Sequence, residues 1–401
     1  MPEAVIVATG RTPIGRAFKG SLIDLRPDDL TAHVVKAVLN KVPQLDPALV
    51  EDLIVGCGQP AGESGFNIAR VAAVLAGLDN VPGVTVNRYC SSSLQTIRMA
   101  AHAIRSGEGD VFIAAGVETV SRFASGAADG GKASNPLFND AVARTAERAP
   151  KATTPWAPAP GLPDIYIAMG QTAENVAEYE NVSREEMDEF AALSQARAVA
   201  SQENGFFARE IIPVTLADGT VVSKDDGPRA GTTVDKLSGL QPVFRPGGKV
   251  TAGNACPLND GAAAVMVMSD TKAKQLGLTP LARIVSSGVS GLNPEIMGLG
   301  PIEACRQALK RAGMSIDQID LVEINEAFAS VAWKSTQMLG IDEERVNVNG
   351  GAIALGHPIG MSGNRITLHL LHELRRRGGG MGAAALCGGG GQGDAIIVRS
   401  L

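Results

Sequence analysis

Apolar residues recur in two different patterns along this chain. Short apolar runs such as residues 3–10 and 263–269 are typical of buried strands. Residues 28–42 and 301–313 instead carry apolar residues at helical spacing, and the second helix is expected to end at Gly313, a usual C-terminal cap. Strands that alternate with helices predict an α/β protein with stacked layers.

Four stretches of the first part of the chain resemble four stretches of the last part, in the same order. The pairs are 49–56 with 318–325, 83–94 with 345–356, 109–116 with 381–388 and 260–269 with 392–400. Any α/β protein repeats strand–helix units, but the second pair also shares Val-x-Val-Asn before a turn into a helix. We therefore expect a duplicated core, with residues 1–120 and 249–270 in one half and residues 271–401 in the other.

The repeat is lost over residues 121–248, which we interpret as an inserted loop domain. Residues 151–163 are rich in proline and cannot form a regular element. A helical pattern follows, in which Ser183 and Glu186 have the spacing of a capping box. Large insertions on an α/β core usually cover or complete a site, so we expect this one to cover the substrate site.

Composition narrows the class of protein. The 401 residues carry a net charge of −6, which gives no basic surface for nucleic acid, and no run of 18 apolar residues exists to span a membrane. The five cysteines are odd in number and contain no C-x-x-C pair, so neither a zinc site nor a disulfide framework is expected. With no signal-peptide pattern at the N-terminus, reduced thiols in the cytoplasm are the expectation.

Cys90 follows an apolar strand and precedes a helical segment, so it is either a small buried residue or a nucleophile. A helix N-terminus favours a thiolate and can bind an oxyanion. Glycine-rich turns after other predicted strands place Asn325, His357 and Cys387 where catalytic groups gather. Asn325 has the alternative role of capping a helix that begins at Glu326, and Cys387 that of a small residue in a tight glycine turn.

A second thiol suits a reaction that moves a proton to or from carbon, or to and from another thiol. The remaining cysteines, Cys57, Cys256 and Cys305, are interpreted from their positions as structural.

Six motifs together resemble the thiolase family of acyl-CoA acetyltransferases, over nearly the entire chain. They are RTPIG at 11–15, NRYCSSSL at 87–94, TAGNACPLNDGAA at 251–263, NEAF at 325–328, GGAIALGHPIGMSG at 350–363 and CGGGGQG at 387–393. The resemblance implies a duplicated, five-layered αβαβα fold that assembles as a homodimer or homotetramer.

The resemblance also implies a role for each motif residue. Cys90 would be the nucleophile that becomes acylated, with His357 as its activating base. Cys387 would protonate the departing acetyl-CoA enolate and then deprotonate the incoming coenzyme A. Asn325 would hold a water that forms one oxyanion hole with His357, and the N–H groups of Cys90 and Gly389 would form the other.

Coenzyme A enters this scheme as a substrate, and neither a cofactor nor a metal is implied. Arg229 would lie near the adenine. The pantetheine tunnel would be lined by Ala252, Cys256, Ala327, Phe328 and, from the loop domain, Met169.

Three positions depart from the family pattern. Ser93 stands where the family usually has glycine, so it narrows the pocket or adds a hydrogen bond. Cys256 replaces a serine that touches the pantetheine arm in many members, and Ala168 replaces a histidine typical of the short-chain acetoacetyl-CoA enzymes. The last departure favours a degradative 3-ketoacyl-CoA thiolase of β-oxidation.

Other functions stay open at this point. The nearest alternative is a biosynthetic thiolase that condenses two acetyl-CoA molecules, and a more distant one is an inactive acyl-CoA-binding protein. A decarboxylating condensing enzyme is disfavoured by the second cysteine and by NEAF. The length of the acyl group is undetermined, and a ring-derived substrate is compatible with the sequence.

Overall fold

The computed structural model describes residues 2–123, 135–150 and 154–401. This part contains twelve strands, of which ten form one mixed sheet. The strands are β1 (Ala4–Arg11), β2 (Gly15–Arg16), β3 (Asp52–Cys57), β4 (Gly83–Val86), β5 (Val111–Thr119), β6 (Val214–Thr215), β7 (Val221–Val222), β8 (Asn259–Ser269), β9 (Ala282–Gly291), β10 (Leu321–Ile324), β11 (Gly380–Gly388) and β12 (Gln392–Ser400). The sheet order is β10-β11-β12-β9-β1-β8-β5-β3-β4, with β2 beside β8, while β6 and β7 form a separate hairpin.

This order is symmetrical about the junction of β9 and β1. The predicted repeat equates β3 with β10, β5 with β11 and β8 with β12, and these pairs occupy matching places on either side of the junction. The fourth match also lies in the equivalent place, because Val346 pairs in parallel with Val322 of β10 as β4 pairs with β3. It forms a single bridge there and not a strand.

Twelve helices form in the described residues. They are α1 (Pro27–Asn40), α2 (Ile68–Leu75), α3 (Ser92–Ser106), α4 (Asn139–Arg148), α5 (Met169–Tyr179), α6 (Arg184–Glu203), α7 (Val234–Ser238), α8 (Asp270–Gln275), α9 (Gly300–Ala312), α10 (Ala329–Leu339), α11 (Ala352–Leu355) and α12 (Ser362–Arg376). Helix α9 ends at Gly313, whose φ of 66° is the left-handed cap predicted from the sequence. The capping box of Ser183 and Glu186 opens α6, also as predicted.

The two halves of the sheet enclose α3 and α12, and this confirms the five-layered fold. Leu94 of α3 and Ile366 of α12 share one core with inward-facing residues of both halves, such as Val265 and Leu386. Helices α1 and α2 cover the outer face of β3, β5 and β8, while α9 and α10 cover the outer face of the other half. All residues of β5 and β8 are buried, as expected for strands covered on both faces.

Between β5 and β8 the chain adds no strand to the main sheet among its described residues. Residues 154–163 contain no helix or strand, as predicted for the proline-rich stretch. Residues 151–153, with which that stretch begins, and residues 124–134 lie outside the described residues. The domain boundaries expected from the sequence stay a prediction.

A buried ion pair ties this long connection to the first strand. The Arg11 side chain donates to Glu210 through Nε at 2.7 Å and to both oxygens of Asp225 at 2.7 and 2.9 Å, and all three side chains are buried. Burial alone lowers the pKa of Arg11, but Asp225 and Glu210 raise it well above its usual range, so the guanidinium remains charged.

Replacing Arg11 by methionine is expected to lower the free energy of unfolding by about 3 to 5 kcal/mol, because two buried carboxylates lose their partner. The measurement is chemical unfolding followed by circular dichroism. The control is Arg26→Met, which removes the ion pairs to Asp28 and Glu63 of an arginine that is 45% exposed and is expected to cost about 1 kcal/mol or less. Equal losses in the two variants would contradict a structural role for the Arg11 pair.

Candidate active site

Cys90 lies in a 3₁₀ turn, Tyr89–Ser91, between β4 and α3, and it is only 8% exposed. The turn holds Tyr89 at a φ of 47°, a left-handed conformation that is unfavourable for a residue with a side chain. Ser92 fastens it, since its Oγ accepts the Arg88 N–H at 2.9 Å and donates to the Tyr89 carbonyl at 2.6 Å. The thiol is therefore held beside the first turn of α3.

The surroundings of Cys90 keep its thiol protonated at neutral pH. Burial raises the pKa of Cys90 to about 11, and the nearby Glu118 carboxyl also raises it. The backbone N–H groups of Gly389 and of Cys90 itself point at the sulfur and act in the opposite direction. A thiol in this state needs a base before it can attack a substrate.

The loop after β11 brings Gly389 to the sulfur. Gly390 and Gly391 have φ values of 73° and 79°, which only glycine adopts readily, and a Cβ on Gly391 would overlap the Leu292 carbonyl. Gln392 then donates from Nε2 to the Gly389 carbonyl at 3.0 Å. The close backbone approach predicted for this glycine run is confirmed.

His357 lies between α11 and α12, and its Nδ1 is 2.6 Å from Ser362 Oγ. Ser362 donates its single hydroxyl proton to the Pro358 carbonyl at 2.9 Å, so Oγ must accept the Nδ1–H of His357. This assignment follows from the hydrogen-bond network and leaves Nε2 unprotonated. The following turn, Ile359–Met361, contacts the Tyr89–Ser91 turn that carries Cys90.

His357 is also kept neutral. Burial lowers the pKa of His357 to about 3, and the charge of Arg365 lowers it too. A neutral imidazole whose Nε2 is unprotonated is able to accept a proton.

Asn325 follows β10, and its amide is oriented by Arg365. The guanidinium donates from Nη2 to Asn325 Oδ1 at 3.3 Å, which turns Nδ2 toward the imidazole of His357, 3.4 Å from Nδ1 and 3.5 Å from Nε2. The alternative role of Asn325 as a helix cap is wrong, because the next helix begins at Ala329. Glu323 pairs with the same arginine at 3.4 Å.

Cys387 is fully buried in β11, and its carbonyl accepts the Ser91 hydroxyl at 3.2 Å, which joins its backbone to the Cys90 turn. Burial raises the pKa of the Cys387 thiol well above its usual range, and the nearby thiols of Cys90 and Cys256 raise it further. The structure therefore brings Cys90, Cys387 and Gly389 together around one turn, and Asn325 and His357 together beside it.

The residues expected to bind coenzyme A divide between a surface cleft and the region next to it. Arg229 and Ala252 line a cleft of about 360 Å³ that also presents the cations of Arg16 and Lys236. Phe328 pairs with Ala255, a lining residue of this cleft.

Four of the six expected residues lie outside the cleft lining, namely Phe328, Cys256, Ala327 and Met169. The Cys256 N–H donates to the Ala327 carbonyl at 3.1 Å. Met169 begins α5 and packs against the apolar cluster that contains Ala327 and Phe328.

Several residues around the site were not identified from the sequence. Ser362 and Arg365 orient His357 and Asn325, and Asn259 accepts the His357 N–H at 3.0 Å. The polar residues at the start of α12, directly after the glycine-rich motif, were the available signal. Ser93, flagged as a departure, accepts the Asn364 N–H at 2.9 Å, so its hydroxyl adds a hydrogen bond between α3 and α12.

Comparison with known proteins gives consistent matches over the full chain. Residues 4–271 match the family model of the thiolase N-terminal domain, and residues 278–400 match that of the thiolase C-terminal domain. The chain is 45% identical to a 3-ketoacyl-CoA thiolase of Bacillus subtilis, and the match covers 100% of both chains. It is 44% identical to a β-ketoadipyl-CoA thiolase of Acinetobacter baylyi, again over 100% of both.

A solved structure agrees with these matches. The crystal structure of the Bacillus anthracis acetyl-CoA acetyltransferase superposes with a TM-score of 0.86 at 40% identity, covering 100% of this chain and 99% of the other.

Replacing Ser362 by alanine is expected to slow the alkylation of Cys90 by iodoacetamide roughly tenfold at neutral pH, because the imidazole loses the acceptor that keeps Nε2 unprotonated. Mass spectrometry of the Cys90 peptide measures the rate. Ser286→Ala is the matched control, since this buried serine of β9 donates to the Ala308 carbonyl of α9, away from the site. Unchanged alkylation in Ser362→Ala would contradict the assigned tautomer.

Proposed function

The chain belongs to the thiolase family, and we propose that it is an acetyl-CoA C-acyltransferase that cleaves 3-ketoacyl-CoA with coenzyme A to acetyl-CoA and a shortened acyl-CoA. One observation carries the assignment of residues. Cys90 is a buried thiol beside two N–H donors. It lies next to a second buried thiol, Cys387, and near the neutral His357. Cleavage by a thiol through a carbanion requires a nucleophile and a separate proton carrier.

In the first half-reaction His357 Nε2 takes the proton of Cys90, and the sulfur attacks the ketone carbon of the substrate. The N–H groups of Cys90 and Gly389 stabilise the negative charge on the ketone oxygen. The bond between the ketone carbon and the neighbouring carbon then breaks, leaving an acyl group on Cys90. Asn325, through a water, and the protonated His357 stabilise the enolate of acetyl-CoA until Cys387 protonates its carbon.

In the second half-reaction the Cys387 thiolate removes the proton of the incoming coenzyme A. The coenzyme A sulfur attacks the acyl group, and Cys90 departs and regains its proton from His357. The raised pKa of Cys387 supports this role, because its thiol stays protonated until a strongly basic carbanion forms. Protons thus pass between Cys90 and His357, from Cys387 to the enolate carbon, and from coenzyme A back to Cys387.

Coenzyme A is a substrate in this proposal, and no cofactor is required. The cations of Arg16, Arg229 and Lys236 around the cleft suit its adenine and phosphate end. Phe328 and Met169, which share an apolar cluster near Cys387, suit the pantetheine arm and the acyl group.

We propose that the protein acts in the cytoplasm in the degradation of fatty acids by β-oxidation. The chemistry is reversible, so condensation of two acetyl-CoA molecules is the second candidate, and the name of the Pseudomonas aeruginosa acetyl-CoA acetyltransferase, 45% identical to this chain, favours it. Ala168, where short-chain enzymes typically carry histidine, favours cleavage of a larger acyl group.

No helix within the described residues combines the length and the apolar character needed to cross a membrane.

We also propose that two copies of the chain pair through the edge of the sheet at β4. This strand has a partner, β3, on one side only. Phe66, which is 87% exposed, lies beside it, because the next residue, Asn67, donates to the Gly83 carbonyl at 2.8 Å. Val74 and Leu75 of α2 are exposed nearby. An open edge with apolar neighbours is a suitable surface for a second copy.

The activity test supplies coenzyme A and a panel of 3-ketoacyl-CoA substrates that differ in length and include one with a terminal carboxylate. We expect loss of the substrate's enolate absorbance and an acyl adduct on Cys90 in the intact mass. Cys90→Ala should form no adduct, whereas Cys387→Ala should still be acylated by a reactive thioester but should not turn over.

Cys305→Ala is the control for these variants, since Cys305 is a buried cysteine inside α9, and it should retain turnover. Failure of the wild-type protein to turn over any substrate would contradict the proposed function. Normal turnover by Cys387→Ala would contradict the assigned proton carrier.

Phe66→Asp is expected to convert the dimer into a monomer, because it places a charge on the apolar surface beside β4. Light scattering after gel filtration measures the molar mass. Val221→Asp, which alters another exposed apolar side chain, in the β6–β7 hairpin, should remain dimeric. A wild-type protein that is monomeric at micromolar concentration would contradict the proposed assembly.

A further inference from the structure

Glu118 is a buried carboxyl near the end of β5 that the proposed chemistry does not use. It is 1% exposed, and its Oε2 accepts the backbone N–H groups of both Gly58 and Gly360 at 2.8 Å. Its Oε1 accepts the Gln59 N–H at 3.2 Å and lies 3.7 Å from the Cys57 sulfur. A side chain that is removed from water and holds three backbone donors has a specific structural task.

These bonds join three segments that are distant in the sequence. Gly58 and Gln59 follow β3, Glu118 belongs to β5, and Gly360 is in the loop that carries His357. Glu118 and Gly360 are 242 positions apart. The carboxyl is thus a direct polar link between the segment with the proposed base and the strands around the proposed nucleophile.

The packing around Glu118 leaves no room for a side chain at Gly360 or at Gly58. A Cβ on Gly360 would overlap the Val117 carbonyl and lie 2.7 Å from the Gly56 carbonyl, so this glycine fits between the ends of β5 and β3. A Cβ on Gly58 would overlap Ile359 and lie 2.9 Å from Glu118 Oε2. The His357 loop therefore lies between the ends of β3 and β5, where Glu118 binds it.

Protonation of Glu118 does not undo the link. Burial raises the pKa of Glu118 to about 7, while the N–H groups of Gly58 and Gly360 oppose that shift. Both 2.8 Å bonds go to Oε2. A proton on Oε1 leaves them in place, so the contact persists on both sides of neutral pH.

We propose that Glu118 is a positioning residue that docks the His357 loop onto the ends of β3 and β5 and so sets the placement of His357 relative to Cys90. The inference rests on the proposed roles of these two residues. His357 and Cys90 come from different halves of the chain, and no local turn relates them. Their separation depends on how the loop is seated, and a misplacement of about 1 Å is enough to slow a reaction about 100-fold.

The experiment compares Glu118→Leu, Glu118→Gln and the control Glu174→Gln. Leucine removes every acceptor, whereas glutamine keeps one oxygen that can accept from Gly58 and Gly360. Glu174 is a buried carboxyl of the same kind, which accepts the Lys249 N–H at 3.0 and 2.9 Å and the Val250 N–H at 2.9 Å, but it does not contact the His357 loop.

Two quantities are measured, namely the rate at which iodoacetamide alkylates Cys90 at neutral pH and the values of kcat and of KM for coenzyme A. Loss of the Glu118 charge removes a contribution that raises the pKa of Cys90 and so favours alkylation, whereas displacement of His357 opposes it. For Glu118→Leu we expect the displacement to dominate, so that alkylation and kcat fall about 100-fold with KM within about twofold of wild type, because the cleft is unaltered. Glu118→Gln should recover to within about tenfold of wild type. Glu174→Gln should alkylate at the wild-type rate.

Wild-type alkylation in Glu118→Leu, no recovery in Glu118→Gln, or an equal loss in Glu174→Gln would each overturn the proposal. If Glu118→Leu does not fold, Glu118→Asp replaces it, since the shorter carboxyl cannot reach both Gly58 and Gly360, and the same loss is expected. Alkylation needs no acyl-CoA, so this result is independent of whether the wild-type protein turns over any 3-ketoacyl-CoA.

Discussion

The site depends on the packing of α3 against α12 between the two halves of the sheet. Each helix follows a turn that carries a proposed catalytic residue, Cys90 before α3 and His357 before α12. A Cβ on Gly363 would overlap the Leu94 backbone, so the two helices meet with backbone nearly in contact. Such an interface has few alternative arrangements, and it therefore relates the two turns with little freedom.

Burial then determines the chemical state of the groups that the two turns bring together. Removal from water raises the pKa of the Cys90 and Cys387 thiols and lowers that of the His357 imidazole, so all three are uncharged at neutral pH. The proposed reaction moves protons among these neutral groups and places transient negative charge opposite fixed N–H donors. Fixed donors in a site closed to water stabilise such charge more strongly than water does.

The elements of the fold were largely predictable because their signals are local. The helical spacing of 301–313, the Ser183 capping box and the glycine run after Cys387 each depend on neighbouring residues, and the structure contains all three. The strand expected near Val346 is reduced to one bridge, because Asn347 turns at a φ of 46° and bonds Ile324 of β10 through its side chain. The capping role of Asn325 was wrong, since the next helix begins at Ala329 and Arg365 binds the amide. Ser362, Arg365 and Glu118 were missed because nothing in their immediate sequence reveals what they bind.

The sequence by itself determined which elements form and which residue types are available for chemistry, because periodicity, caps and glycine turns are properties of adjacent residues. Only the tertiary structure decided the state and orientation of those residues. The unprotonated Nε2 of His357 comes from Ser362, the orientation of the Asn325 amide from Arg365, and the proposed placement of the histidine loop from Glu118. Long-range hydrogen bonds, such as that between Ser91 and Cys387, 296 positions apart, and removal from water exist only after the two halves have closed around α3 and α12.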